Sequence, residues 1–188
     1  NPMSHRSIIV LPDDTGKPIL DAINAATKTL RIKMFVFSDP DLIKAVIAAK
    51  GRGVKIHVML NPARRDGEEV NAETRKALEK AGIDVKDSNP DFGITHEKSM
   101  VVDDETAFIK SLNWATKNLT VTRDYAIITS HKHEVDEVIA GFEADWHRKD
   151  FDLGENAHLI WCRGNGRARI AQLIDGAKHH LFVQNERY

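Results

Sequence analysis

Thr95-His96-Glu97-Lys98-Ser99-Met100-Val101-Val102-Asp103 places a histidine and a lysine two residues apart and an aspartate at the end of an apolar run. Ser111 and then Asn113 follow. A histidine and a lysine at this spacing mean little alone. The full five-position pattern, H-x-K-x4-D followed by Ser and Asn, arises by chance in such a chain with a probability on the order of 1 in 10,000 or less. The stretch predicts a strand over 95–102. Residues two apart on a strand share a face, so His96 and Lys98 are expected to project together. One offers a nucleophilic imidazole, the other a fixed cation for a phosphate oxygen. Ser111 and Asn113 repeat the two-residue step on the next segment and add neutral hydrogen-bond donors. Phosphoryl transfer depends mainly on positioning and charge stabilisation, and this set supplies both without a metal. The competing reading is a half-exposed hairpin with polar residues turned to solvent; the five-position spacing argues against it.

Working outward, strand and helix patterns alternate. Ile8 to Leu11 reads as a short buried strand. A helix is expected over 17–28, with Pro18 in its first turn and Ile19, Leu20, Ile23 and Ala26 on one face. Leu30, Ile32, Met34 and Val36 alternate with Arg31 and Lys33, which is strand periodicity. Asp39-Pro40 opens a helix that Gly51 or Gly53 closes, and Val54, Ile56, Val58 and Leu60 form a strand stopped by Asn61-Pro62. A polar helix over 67–81, a turn-rich stretch over 87–93, strands over 106–111 and 124–129, and a helix over 132–147 complete the pattern. Alternating strands and helices define an α/β fold.

The region after residue 150 reads as more than a tail. His158-Leu159-Ile160-Trp161 and Leu181-Phe182-Val183 are strand candidates around a helix marked by Ile170, Leu173, Ile174 and Ala177. At a constant offset of 151 residues, Ile8-Ile9 falls on Leu159-Ile160, Ile19 on Ile170, Ile23 on Ile174, Leu30 on Leu181 and Ile32 on Val183. Any strand–helix–strand unit yields some such matches, but the gapless offset favours an internal repeat. The organisation expected is one unit over 1–150 and the incomplete beginning of a second, similar one over 151–188.

The composition is that of a globular domain, 41% hydrophobic and 29% charged. Its 27 Lys+Arg balance 28 Asp+Glu, for a net charge of −1. The basic surplus usual in nucleic-acid-binding proteins is therefore missing, although local basic patches are compatible with this balance. No apolar run approaches a membrane span, and Asn1-Pro2-Met3 reads as the opening of a trimmed chain or a fragment. The single Cys162 allows no internal disulfide and fits a reducing compartment, which favours the cytoplasm for a soluble or peripheral membrane protein. His131-Lys132-His133 has no carboxylate or cysteine spacing to support a metal and reads as a solvated helix start.

The pattern resembles the HKD motif of the phospholipase D superfamily, H-x-K-x4-D-x6-G-S-x-N. The likeness extends to Arg52-Gly53-Val54 before the third strand and to Phe142 through Trp146. It implies a mixed sheet flanked by helices and a metal-independent phosphodiesterase or phosphatidyltransferase with no cofactor. His96 would attack phosphorus to give a phosphohistidine, while Lys98, Ser111 and Asn113 would hold the non-bridging oxygens. Asp103 would be structural. Asp124, at the matching distance after the motif, would orient His96 and stabilise its imidazolium, as carboxylates do in hydrolase triads; a surface ion pair with Arg123 is its plainer role. One position departs from the pattern: Lys110 stands where the motif has glycine. Its side chain either points away from the phosphate, adds a second cation or impairs the site.

The resemblance also requires a second histidine as general acid. No second H-x-K-x4-D pattern occurs in the chain, so the other half-site belongs to a continuation of the second repeat or to the partner in a homodimer. A two-repeat enzyme of the bacterial phospholipase-D-like or cardiolipin-synthase-like kind, acting on phospholipid, is the reading favoured by the balanced charge. A nuclease of the same superfamily and a non-catalytic scaffold that kept the fold are the alternatives. Because Lys98 and the neutral donors do the work of a cation, phosphodiesterase activity of the complete protein is expected to survive EDTA. Loss on chelation with rescue by a divalent ion contradicts that reading.

Overall fold

The computed structural model describes residues 5–63 and 66–186; the opening residues 1–4 lie outside them. The chain divides into two compact units, one ending at Phe151 and one beginning at Asp152.

In the first unit the elements run β1 (Arg6–Leu11), α1 (Lys17–Ala25), β2 (Thr29–Met34), α2 (Pro40–Gly51), β3 (Lys55–Leu60), α3 (Ala72–Lys80), β4 (Asp84–Asp87), β5 (Lys98–Val102), β6 (Thr106–Lys110), α4 (Thr116–Thr120), β7 (Asp124–Thr129) and α5 (Lys132–Trp146). The strands form one mixed sheet in the order β1-β7-β6-β5-β2-β3-β4. β2, β3 and β4 are parallel, whereas β2 and β5, β5 and β6, β6 and β7, and β7 and β1 pair antiparallel. The expected α/β architecture, a mixed sheet flanked by helices, is what is observed.

Alternation assigns the faces. Leu30, Ile32, Met34, Met100 and Phe108 are buried with Ile19 and Ile23 of α1 and Leu42 and Val46 of α2 in the main core. The opposite face carries the polar residues of β2, Arg31 and Lys33. There α5 contributes Phe142 and Trp146, which cluster with Met59 of β3. Burying each such side chain contributes about 1.5–3 kcal/mol. α2 starts sharply because Asp39 Oδ2 accepts from the backbone N–H of Leu42 at 3.1 Å.

The β5–β6 turn is fixed from outside. Asp103 and Asp104 have φ of 54° and 57°, the left-handed region that aspartate tolerates better than most residues. Asp103 Oδ1 accepts from the backbone N–H groups of Thr27, Lys28 and Thr29 at 3.1, 2.7 and 3.0 Å. Its own N–H donates to Thr29 O at 2.8 Å. Partial burial would raise this carboxyl's pKa, but the three N–H donors outweigh it and hold the pKa below the ordinary aspartate value. Asp103 thus ties the far end of the motif strand to the start of β2.

Two local expectations differ, and two elements were not expected. β5 begins at Lys98 and not at 95, because pairing with β6 ends at Lys98 opposite Lys110 and pairing with β2 ends at Ser99 opposite Lys33. Residues before Lys98 have no ladder to join. β4 and α4 carried no clear pattern: β4 is a four-residue polar segment, DVKD, paired along β3, and α4 is a five-residue helix. α3 starts at Ala72 rather than near residue 67.

In the second unit, α6 (Gly166–Asp175) stands where a helix was expected. The strands expected over 158–161 and 181–183 are absent among its described residues. A strand needs a neighbour for its backbone hydrogen bonds, and none is supplied there; Leu181, Phe182 and Val183 are exposed. Asn165 instead organises the stretch before α6, accepting from Trp161 N at 2.7 Å and donating to Leu159 O at 3.0 Å.

Asp103→Ala leaves three backbone donors unmatched at a positive-φ site and is expected to cost about 2 kcal/mol. Asp103→Asn, which keeps one acceptor and tolerates the backbone, should cost clearly less. Urea denaturation of the two variants checks this, and equal losses contradict it.

Candidate active site

The site lies at the end of the central strands, where β2 and β6 end and β5 and β7 begin. Beyond β2 the chain continues through Phe35, Val36 and Phe37, and the segment after β6 lies alongside it. Trp114 N donates to Val36 O at 3.0 Å, and Ser38 N and Asp39 N both donate to Trp114 O at 2.8 Å. Asn71, almost fully buried, holds the first segment from the other side. Its Oδ1 accepts from Phe37 N at 2.9 Å, and its Nδ2 donates to Phe35 O at 2.9 Å and to Asn61 O at 3.0 Å. Asn61 Oδ1 in turn accepts from Thr95 N, one residue before His96.

His96 is exposed and packs edge-on against Phe35, ring centroids 4.7 Å apart. Lys98 is buried. Its Nζ lies 3.2 Å from His96 Nδ1 and 3.4 Å from Nε2, donates to His96 O at 2.7 Å, and sits 5.6 Å from the centre of the Phe35 ring. The two motif residues therefore meet, though only Lys98 is on the strand. Burial lowers the Lys98 pKa to about 8, with the Asp124 carboxylate opposing the shift.

Ser111 is locked to the start of β7. Its N–H donates to Tyr125 O and its Oγ accepts from Tyr125 N, both at 2.9 Å. Its hydroxyl donates to Asp124 Oδ1 at 2.9 Å, and the Thr122 hydroxyl donates to Asp124 Oδ2 at 2.6 Å. Asp124 is thus joined by hydrogen bonds to Ser111 and Thr122 and by charge to Lys98. The side-chain oxygen of Asn113 is buried with no hydrogen-bond partner, as are Thr95 Oγ1, Lys110 Nζ and Trp114 Nε1. These unmatched polar atoms all belong to the motif region, and buried polar atoms are rarely left so.

Lys110 is 7% exposed and directly opposite Lys98 in the ladder, with its Nζ 4.6 Å from the centre of the Trp114 ring. It is neither a surface residue nor an obvious steric block.

Glu97, between the two motif residues, faces the other side of the sheet. It accepts from the Ser99 hydroxyl at 2.6 Å and from Lys33 Nζ at 3.1 Å, and Lys33 also donates to Asp145 of α5 at 2.6 Å. Lys33 is 1% exposed. Burial would lower its pKa, but Glu97 and Asp145 together hold it above the ordinary lysine value. Arg31, two residues earlier on β2, pairs with Glu143, two residues before Asp145. Sequence reasoning passed over this network and Asn71. The matching two-residue steps of Arg31 and Lys33 and of Glu143 and Asp145 were its available signal. A second H-x-K, His147-Arg148-Lys149, lacks the downstream Asp, Ser and Asn, and His147 Nε2 lies 3.2 Å from Glu143 Oε2 at the end of α5. Among the described residues no three His, Cys, Asp or Glu side chains group as metal ligands would, and no helix is long and apolar enough to cross a membrane.

The motif residues gather at one end of the central strands of a mixed sheet, a His–Lys pair beside a Ser–Asp hydrogen bond. Residues 19–146 match the family described as cardiolipin synthase, PLD-like domain, and the chain belongs to this phospholipase-D-like family. The human mitochondrial cardiolipin hydrolase is 33% identical over 130 residues, covering 69% of this chain and 50% of that protein; the mouse protein is 32% identical over 132 residues, covering 70% and 58%. The chain thus spans about half the length of these relatives. Among solved structures, the phospholipase D family member Nuc from Salmonella typhimurium superposes with a TM-score of 0.68 at 23% identity, covering 77% of this chain and 97% of that one, which shows the fold.

Lys33→Ala strands two carboxylates beside a largely dry face and is expected to cost about 3 kcal/mol. A loss below roughly 1 kcal/mol in urea unfolding, the scale of an exposed pair, contradicts the structural weight given to this network.

Proposed function

We propose that this protein hydrolyses or transfers phosphodiesters through a covalent phosphohistidine on His96, with phospholipid as substrate. The observation that carries the reading is the Lys98 ammonium held 3.2 Å from the His96 imidazole while it feels the charge of Asp124. An imidazole nitrogen of His96 attacks phosphorus as the bond to the leaving oxygen breaks. A second histidine, from a second motif, delivers a proton to that oxygen. Water, or an alcohol in transfer, then attacks the phosphohistidine and gives its proton back to the same histidine. Lys98 neutralises a non-bridging oxygen with the Asn113 amide as a neutral partner, and the Ser111 hydroxyl joins them by turning its hydrogen from Asp124 to the phosphate. Asp124 acts through its hydrogen bond to Ser111 and through its charge on Lys98, which lies against the His96 ring.

Two facts support the lipid direction: the relatives that are one-third identical are named as cardiolipin hydrolases, and the chain has no basic surplus. The second half-site is a second copy of the motif, in a further repeat or in the partner of a homodimer.

In the complete protein, His96→Asn is expected to reduce turnover of anionic phospholipid, and of bis-p-nitrophenyl phosphate, by several orders of magnitude. Because His96 is exposed, the melting temperature should be nearly unchanged. Cleavage of single-stranded DNA with no action on phospholipid vesicles overturns the lipid assignment. Absence of turnover of any phosphodiester by the unsubstituted protein overturns the enzyme reading.

A further inference from the structure

Lys110 stands in the place of the motif glycine, in surroundings that a lysine occupies only at a cost. It pairs across the ladder with Lys98, so the two side chains leave the sheet on the same face. Like charges placed directly opposite on neighbouring strands repel. Lys98 has an acceptor, the carbonyl of His96, but the Lys110 ammonium has none and rests on the indole of Trp114. A buried cation without an acceptor destabilises a fold unless it is neutral part of the time.

The charges around it are few. From β5 comes Lys98 and from the segment before it Glu97, whose carboxylate is shared with Lys33 of β2, which is in turn paired with Asp145 of α5. From β7 comes Asp124, acting on Lys98. His96 is the remaining titratable neighbour of Lys98.

We propose that Lys110 is a conditional second cation of the phosphate site: buried opposite Lys98 without an acceptor of its own, it adds its charge only when protonated and so sets how substrate affinity depends on pH. Burial lowers its pKa to about 7, the Glu97 carboxylate working against the shift and the Lys98 ammonium adding to it. Lys98 titrates at about 8. Lys98 has a carbonyl acceptor and the Asp124 charge to hold its proton and Lys110 has no acceptor, so as pH falls Lys98 takes its proton first and Lys110 second. The pocket carries one ammonium near pH 7.5 and two near pH 6, and an anion in a partly desolvated site responds to that step. Lys110 acts through charge and not by touching the reacting atoms.

This inference rests on the phosphodiester reading of the site, and the test separates the two. Diethyl phosphate keeps a single negative charge from pH 6 to pH 9. Its binding is measured by titration calorimetry on the intact protein carrying His96→Asn, which removes both turnover and the imidazole titration, with and without Lys110→Met. With Lys110 present, affinity should rise about fivefold between pH 7.5 and pH 6, a modest pairwise charge effect. With Lys110→Met that rise should vanish, while the loss of affinity from pH 7.5 to pH 9, due to Lys98, remains in both. The same rise in the methionine variant overturns the role of Lys110. Failure of the unsubstituted protein to bind diethyl phosphate at any pH overturns the site reading and this inference with it.

A ligand-free measurement guards against a variant that simply misfolds. The folded-state pKa of Lys110 lies below its unfolded value, so the unfolded chain holds the proton more tightly, and this residue's contribution makes stability rise with pH above about 7. Lys110→Met, or Lys110→Gln if methionine packs badly, should raise the melting temperature more at pH 6 than at pH 9. A gain independent of pH contradicts the proposal.

Discussion

A lysine ammonium held between two carboxylates on the α5 side of the sheet sets the terms for the rest of the molecule. Lys33 cannot leave its partners without stranding charge in a largely dry layer, so β2, α5 and Glu97 are fixed relative to one another. Glu97 lies between His96 and Lys98. Anchoring it to one face commits its two neighbours to the other, even though the ladder has not yet begun at His96. The alternation that a strand would have imposed by pleating is here imposed by an ion pair.

The two faces then handle charge in opposite ways. On the α5 side each buried cation meets a carboxylate, and the result is rigidity. On the motif side Lys98 leans on a carbonyl and an imidazole, Lys110 has only an indole, and Asn113 and Thr95 keep unmatched oxygens. Preorganised donors and cations without a full set of acceptors are what an anionic ligand requires, and Lys98 and Lys110 are of that kind, whereas the Asn113 amide oxygen is an acceptor. Ion pairing is concentrated on one side of the sheet and the proposed phosphate site on the other, with a single strand between them.

Much of this was legible in the sequence, and the exceptions have physical causes. The strands β1, β2, β3, β6 and β7 and the helices α1, α2 and α5 announce themselves because each buries one periodic apolar face. β4 is hidden because DVKD owes its strand conformation to β3 alongside it and not to its own composition. The motif residues are legible by spacing, since chemistry constrains residue type. Their partners are not: nothing local says that Lys33 is buried, that Asn71 braces the turn beneath His96, or that the Ser111 hydroxyl is directed at Asp124. Those facts depend on which elements the sheet order brings together. The strands expected after residue 150 show the converse, an apolar pattern with no neighbour to pair with.

The sheet order has a further consequence, for synthesis. β1 leaves the ribosome before any other element of the first unit, yet its neighbour in the sheet is β7, which ends at Thr129. At ordinary elongation speeds that separation is a delay of roughly ten seconds. During it, the apolar residues Ile9 and Leu11 of β1 have no ladder to join, although β2 and β3 can already associate through α2. The nascent chain therefore carries an unpaired, aggregation-prone strand until the unit is nearly complete, and pairing of β1 is a late, long-range closure rather than a nucleus.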